Sequence, residues 1–164
     1  MRRSFALVIL VAGLLLGVSG TATADTTNHD LYTWSVGFTT GTATAIAPDG
    51  STITMHGNGT LQAGPNKSAT GGGTFSMSTG SSGTFAVTRI DGFVSYGAGT
   101  AFAGAFGGEA KLAISLSNGD SGTLTIYCLQ GSPPPSKEEG IAVILGNGGQ
   151  FTKPDGGNTV FTHS

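Results

Sequence analysis

The fold class is decided by residues 109–117, which read EAKLAISLS. Apolar side chains recur there at every second position, at Leu112, Ile114 and Leu116, and the positions between them are small or polar. Because successive side chains of a β-strand point to opposite faces, a period of two predicts a strand with one buried and one solvated face. Residues 109–117 are therefore predicted to form a strand of a sheet that packs on one side.

The segment that follows predicts the partner of this strand. Residues 118–122, NGDSG, are typical of a tight turn, and residues 123–130, TLTIYCLQ, alternate again. The two strands are predicted to pair as a hairpin, with Cys128 on the face of Leu124 and Ile126 as a small core residue. Since Cys128 is the only cysteine, the fold has no intramolecular disulfide and depends on packing and hydrogen bonds.

Similar patterns lie on both sides of the hairpin. Residues 32–38 place four apolar side chains on one face of a first strand: Tyr32, Trp34, Val36 and Phe38. Residues 141–145, IAVIL, are apolar at every position, which predicts a strand covered on both faces. The glycines at 71–73 predict a sharp bend or a close contact between backbones.

Together these patterns predict an all-β fold. Turn residues separate about eight to ten short strands, and no segment has a convincing helical period. We expect an antiparallel meander that closes into a β-barrel, because closure removes the sheet edges that a chain with few charges cannot easily protect. The alternative is a β-sandwich or a jelly roll.

The first 24 residues predict a signal peptide. Arg2 and Arg3 precede an apolar run at 5–16, and Ala22-Thr23-Ala24 provides a small-residue cleavage site. The paired arginines also partly match the twin-arginine signal, so both that route and the general secretory route stay open. Cleavage near Ala24 would release a secreted or periplasmic protein.

Residues 25–164 are predicted to form a single β domain. No run after the signal peptide is long and apolar enough to span a bilayer, so we expect a protein that is not integral to a membrane. Removal of the two signal arginines leaves five of the seven basic residues against nine acidic ones, a net charge of −4. The remaining basic residues are scattered, whereas a nucleic-acid partner requires a clustered basic surface. Nucleic acid is therefore not an expected partner.

The sequence carries no motif for a metal, a cofactor or a catalytic nucleophile. His29, His56 and His163 are far apart, and one cysteine cannot form a cysteine-rich zinc site. The glycines lie in predicted turns and form no phosphate loop or dinucleotide fingerprint, and no G-x-S-x-G elbow occurs. We therefore expect no metal, no cofactor and no catalytic residue, and enzymatic activity is less favoured than binding.

Several segments resemble small exported glycine-rich β proteins of bacteria and archaea. They are GNGT at 57–60 with ATGGGTF at 69–75, FVSYG at 93–97 and, most distinctive, CLQGSPPP at 128–135 with EEGI at 138–141. The resemblance spans roughly residues 57–145 and implies a shared fold without implying an activity. At the level of the fold alone, the expected barrel is similar to the dirigent and allene oxide cyclase barrels, whose own motifs are absent here.

Arg89 is the first candidate binding residue. Alternation places its guanidinium on the face of Phe85 and Val87, and a buried guanidinium requires a carboxylate partner or a ligand. In the structural alternative, Arg89 follows a bulge and pairs with Asp91 or Glu109.

In the functional alternative, Arg89 points into the mouth of the barrel. With Asp91, Tyr96 and Trp34 nearby, it would then form a site for a small amphipathic molecule with an anionic end. Glu138 and Glu139 are further candidates, because they follow three prolines whose stiffness suits a recognition loop. Such a loop also serves simply to connect two strands.

Three functions follow from these observations. The first is an exported non-enzymatic binding module for a small apolar or amphipathic ligand or for an extracellular surface. The second is a barrel enzyme of the cyclase or isomerase type, which requires titratable groups to converge on a cavity. The third is a structural or self-associating envelope protein with a filled interior and an exposed apolar patch or strand edge.

Overall fold

The computed structural model describes residues 30–39 and 41–163, and the regular secondary structure of this part of the chain is entirely β. The predicted signal peptide lies outside the described residues. The strands are β1 Leu31–Val36, β2 Ala43–Ile46, β3 Thr52–Gln62, β4 Ser68–Met77, β5 Ser82–Ala98, β6 Ala105–Leu116, β7 Ser121–Cys128, β8 Gly140–Leu145, β9 Gln150–Phe151, β10 Lys153–Pro154 and β11 Thr159–His163. Within the described ranges, no helix has the length and hydropathy needed to cross a membrane. The all-β prediction is confirmed, with eleven strands where about eight to ten were expected.

All eleven strands belong to one antiparallel sheet. From β2 to β9 each strand pairs with the next along the chain, as in a meander. β1 breaks that order because it lies between β3 and β11, and β11 also pairs with β6. β10 pairs with β2, so a simple meander is the wrong topology for β1, β10 and β11. The result is a partial ring of six strands: β1, β3, β4, β5, β6 and β11.

The hairpin predicted from the alternating segments is confirmed as β6 and β7. Leu112 pairs with Leu124 across the two strands, and Ala110 pairs with Ile126. All four side chains are fully buried, and Cys128 lies on the same buried face of β7. The period of two therefore identified the core-facing side of the hairpin correctly.

The interior of the sheet is filled by one cluster of apolar side chains. Its largest fully buried members are Trp34, Phe161, Ile53, Met55, Leu61, Leu112, Ile114, Leu124, Ile126, Ile141, Val36 and Val143. A barrel interior open to a ligand was one possibility raised by the sequence. In the described part of the chain, a cluster of apolar side chains occupies the core, and the clefts considered below lie at the surface.

Trp34 packs on glycines at the point where β3 and β4 pair. Gly59 lies opposite Gly71 in the register of these strands. A Cβ on Gly59 would lie 2.8 Å from Cε2 of Trp34 and 2.0 Å from the carbonyl oxygen of Thr70. Only glycine leaves room for the indole ring and the neighbouring backbone at this point. The close backbone contact predicted for residues 71–73 is thus confirmed.

Two predicted facings are wrong. β1 ends at Val36, so Phe38 lies beyond the strand and is 53% exposed instead of belonging to the core. In β8, Ile144 is also exposed, although the other four residues of the apolar run 141–145 are buried. Both residues are apolar, and the alternation of apolar residues alone does not show where a strand ends or which of its two faces is exposed to solvent.

Candidate functional site

The structure does not assemble the site predicted around Arg89. Trp34 is buried in the core, where its Nε1 donates a hydrogen bond to the carbonyl oxygen of Thr70 over 3.2 Å. Arg89 is exposed and its Nε lies 2.6 Å from Oδ1 of Asp91. The pairing of β5 with β6 shifts register between Val87 and Arg89, which turns the guanidinium away from the buried face. The structural alternative, a bulge followed by an ion pair, is the arrangement found.

Tyr96 belongs to a separate polar cluster centred on Glu109. Its hydroxyl donates to Oε2 of Glu109 over 3.4 Å, and Nζ of Lys137 lies 2.8 Å from the same oxygen. Nζ of Lys111 lies 3.5 Å from Oε1, and Nζ of Lys137 also lies 5.0 Å from the centre of the Tyr127 ring. Each charged group in the cluster therefore has an opposite charge beside it.

Charge pairing controls the titration of this cluster. Burial by itself would raise the pKa of Glu109, but the hydrogen bond and charge of Lys137, with those of Lys111, outweigh it and hold the pKa below its usual value. The hydrogen bond to Glu109 raises the pKa of Lys137. Burial and the charge of Glu109 raise the pKa of Tyr96, so its phenol stays protonated and is not activated as a base.

The stability that Glu109 contributes is expected to disappear in acid. Its pKa is lower in the folded chain, so the contribution is complete above the unfolded value of about 4.3 and is lost as the pH falls through the folded value. Between about pH 6 and about pH 3, the free energy of unfolding should fall by about 1 kcal/mol more for the unmodified protein than for Glu109→Gln. Urea unfolding followed by the fluorescence of Trp34 measures this difference. Parallel curves of unfolding free energy against pH for Glu109→Gln and the unmodified protein would contradict the pairing.

Glu139 binds backbone groups of two separate segments. Its Oε2 accepts a hydrogen bond from the N–H of Leu129 over 2.6 Å, and its Oε1 accepts one from the N–H of Thr159 over 3.0 Å. The hydroxyl of Thr159 lies 2.7 Å from Oε1 and 2.5 Å from the carbonyl oxygen of Tyr127, so these two acceptors share its one proton. Glu138, its neighbour in sequence, is exposed. Of the two adjacent carboxylates, only Glu139 is therefore tied into the fold.

An apolar groove lies beside Glu139. We call it the phenylalanine groove, because the exposed rings of Phe38 and Phe102 stack at its edge with their centres 5.8 Å apart. The groove has a volume of about 370 Å³. Its lining consists of Phe38, Thr39, Ala101, Phe102, Gln130, Glu139, Asn158, Thr159 and Val160.

Backbone hydrogen bonds fix both phenylalanines. Gly37 has a φ of +77°, which lets the chain turn directly after β1. The N–H groups of Gly37 and Phe38 then both donate to the carbonyl oxygen of Asn158, over 2.8 and 3.1 Å. On the other loop, the carbonyl of Phe102 accepts from the N–H of Ala105 over 3.1 Å. The two rings therefore project from loops that are attached to the sheet.

Among the described residues that line the groove, Glu139 is the one that carries a charge. Within residues 30–39 and 41–163, the ion pairs involve other carboxylates and none involves Glu139. Burial raises the pKa of the Cys128 thiol, and the negative charge of Glu139 raises it further. An aromatic wall and an uncompensated negative charge thus share one small groove.

Three other surface clefts formed by described residues have no pair of exposed aromatic rings in their lining, and the largest of the three, about 310 Å³, is lined by residues 47–49, 51 and 148–151. One of about 250 Å³ includes Asp91, Glu109 and Lys111 in its lining, and these charges already have partners. A second, of about 270 Å³, includes Lys137 and Glu138. In the described part of the chain, no group of three or more histidine, cysteine, aspartate or glutamate side chains is arranged to hold a metal ion.

Comparison with known proteins gives no further guide to function. No protein-family model, curated protein or solved structure matches this chain.

Proposed function

We propose that this protein is an exported, non-enzymatic binding module that holds a small apolar or amphipathic molecule in the phenylalanine groove. The observation that carries the proposal is the exposed, stacked pair of Phe38 and Phe102 beside a groove of about 370 Å³. Small-molecule sites typically have volumes of about 300 Å³ or more and combine apolar walls with a few polar groups. Large apolar side chains fixed in exposed positions are typical of such sites.

The scaffold proposed for this groove is a closed β-barrel. The path of paired strands starts at β10 and ends at β9, and only Thr152 separates these two strands along the chain. β9 pairs with β8 and β10 pairs with β2, so one short segment joins both ends of the path. A barrel with a filled interior is a rigid support, and rigid supports with variable loops commonly carry binding sites.

The proposed place of action is outside the cytoplasm. It follows from the predicted signal peptide and cleavage near Ala24. Binding of a small molecule is favoured over an extended extracellular surface, because the two rings face a concave groove of limited volume.

Self-association through a strand edge has less support. β5 pairs with β4 only as far as Ala86, which leaves its later residues without a second strand partner in the described chain. That part of β5 has three register shifts and carries the charges of Arg89 and Asp91. Bulges and charges are the devices by which proteins prevent edge-to-edge pairing.

The enzymatic alternative also has less support. Arg89 and Tyr96 pair with different carboxylates, and neither residue contributes to the lining of the phenylalanine groove. An enzyme of the cyclase or isomerase type requires titratable groups to converge on one cavity. The cleft of about 250 Å³ does gather Asp91, Glu109 and Lys111, but these groups are paired with opposite charges.

Loss of both groove rings is expected to weaken ligand binding about tenfold or more, because each phenyl ring contributes apolar contact area. The probe is the neutral apolar dye Nile red, titrated by fluorescence against the unmodified protein and the double variant Phe38→Ser/Phe102→Ser. The matched control is Val94→Ser/Ile144→Ser, which removes two exposed apolar side chains outside the groove. Emission from buried Trp34 checks that each variant folds. Equal dye affinity in the groove variant and the unmodified protein, or no dye binding by either, would refute the proposal.

A further inference from the structure

We propose that the ligand of the phenylalanine groove is an organic cation, an apolar molecule bearing an amine, and that Glu139 is the group that recognises its charge. This inference rests on the proposed function and makes it specific. It depends on three features of the groove, which are an uncompensated carboxylate, an open acceptor position on that carboxylate and exposed aromatic faces.

The carboxylate of Glu139 is held by neutral groups. Its partners are the N–H groups of Leu129 and Thr159 and the hydroxyl of Thr159. In the described part of the chain, no lysine, arginine or histidine lies within ion-pair distance of it. Hydrogen bonds to neutral donors orient a carboxylate but leave its net charge in place. A cation that entered the groove would be the first opposite charge beside Glu139.

The carboxylate also retains acceptor capacity. An ionised carboxylate offers about four lone-pair positions. Oε1 accepts from the N–H of Thr159 and competes with the carbonyl oxygen of Tyr127 for the single hydroxyl proton of Thr159, and Oε2 accepts from the N–H of Leu129. Oε2 can therefore accept a further hydrogen bond, and Glu139 is part of the groove lining. An ammonium group supplies donors without requiring an acceptor in return.

The aromatic rings favour the same charge. The face of a phenyl ring attracts a cation placed within about 6 Å of its centre. Phe38 and Phe102 expose their rings at the edge of the groove, and none of the described residues that line it is a lysine or arginine that would repel a cation or attract an anion. An amine with an apolar body matches both the walls and the charge, whereas an anionic ligand would meet Glu139 unscreened.

Three probes that share a phenyl body separate the contribution of charge from that of apolar contact. Phenethylamine is a cation at neutral pH, phenethyl alcohol is neutral and phenylacetate is an anion. Isothermal titration calorimetry of the unmodified protein is expected to give about tenfold tighter binding of the amine than of the alcohol, and the weakest binding for the carboxylate. An equal affinity for amine and alcohol, or tighter binding of phenylacetate, would overturn the inference.

A variant that adds a competing cation tests the role of Glu139 without breaking its hydrogen bonds. Ala101 is an exposed residue of the groove lining. Ala101→Lys should lower the affinity for phenethylamine to that for phenethyl alcohol and leave the affinity for the alcohol unchanged, while Ala101→Gln should preserve the preference for the amine. An unchanged preference in Ala101→Lys would overturn the inference.

The proposed function and this inference fail in different ways. If amine and alcohol bind equally and Phe38→Ser/Phe102→Ser loses both, the groove is the site and only the charge recognition is wrong. If Nile red and all three phenyl probes fail to bind the unmodified protein, the proposed function itself is wrong.

Discussion

Gly59→Ala is expected to lower the free energy of unfolding by about 3 kcal/mol, although it adds a single methyl group. The new Cβ would lie 2.0 Å from the carbonyl oxygen of Thr70, 2.7 Å from Cα of Gly71 and 2.8 Å from Cε2 of Trp34. Two of these neighbours are backbone, so relief requires β3 and β4 to separate, and separation disturbs the hydrogen bond from Trp34 to Thr70. Urea unfolding measures the loss. Because Trp34 is the only tryptophan, its emission reports the local change directly.

The control for this substitution is Gly92→Ala. Gly92 also lies in a strand and has an ordinary φ, but a Cβ there would meet nothing within 4 Å. The control should change stability by about 0.5 kcal/mol or less, or raise it slightly, since alanine restricts the unfolded chain. If Gly59→Ala unfolds at the same urea concentration as Gly92→Ala, with unchanged Trp34 emission, the close packing of indole on glycine is not present in solution.

Much of the fold could be predicted from the alternation of side chains. The β6–β7 hairpin and the buried face of β1 follow from a period of two, because burial on one side of a strand leaves a local pattern. The positions of β1 and β11 could not be predicted in this way. β3 is long enough to pair with β2 over its first residues and with β1 over its last, and nothing local in the sequence indicates that shared edge. Strand order depends on contacts between distant segments.

The facing of side chains could be predicted only where the strands are regular. A register shift before Arg89 places its side chain on the opposite face of β5 from the one expected, and the guanidinium forms an ion pair with Asp91, two residues later. A bulge adds one residue to one strand only, so the rule of two fails beyond it. The sequence before Arg89 contains no glycine or proline nearer than Gly83 to mark the irregularity.

The candidate site was only partly predictable. The position of Glu139 after three prolines makes it a candidate, and it does lie in the lining of the phenylalanine groove. The alternation of β1 predicts a core position for Phe38, and Phe102 lies in a stretch rich in glycine and alanine that has no clear period. The stacking of the two phenylalanine rings depends on how the two loops that carry them return to the sheet. The signal available in the sequence was Gly37, which can end a strand before its pattern ends.

Glu139→Ala is expected to lower the free energy of unfolding by about 3 kcal/mol, a large part of the stability of a typical domain. The substitution leaves the N–H groups of Leu129 and Thr159 without their acceptor, and Thr159 is only 5% exposed. An unsatisfied buried N–H costs about 1–3 kcal/mol. These two groups belong to segments 30 residues apart in sequence, so the carboxylate also joins the loop after β7 to the start of β11. Chemical unfolding at neutral pH measures the effect.

The neighbouring substitution Glu138→Ala provides a control with the same change in charge. Glu138 is exposed, so its loss should alter stability by about 0.5 kcal/mol or less. A large difference between the two variants would mean that the position of the carboxylate matters and net charge does not. Equal stability of the two variants would show that Glu139 does not hold these segments together. In that case a preference of the groove for amines could not be attributed to a carboxylate held in place by Leu129 and Thr159, because those two hydrogen bonds would not fix its position.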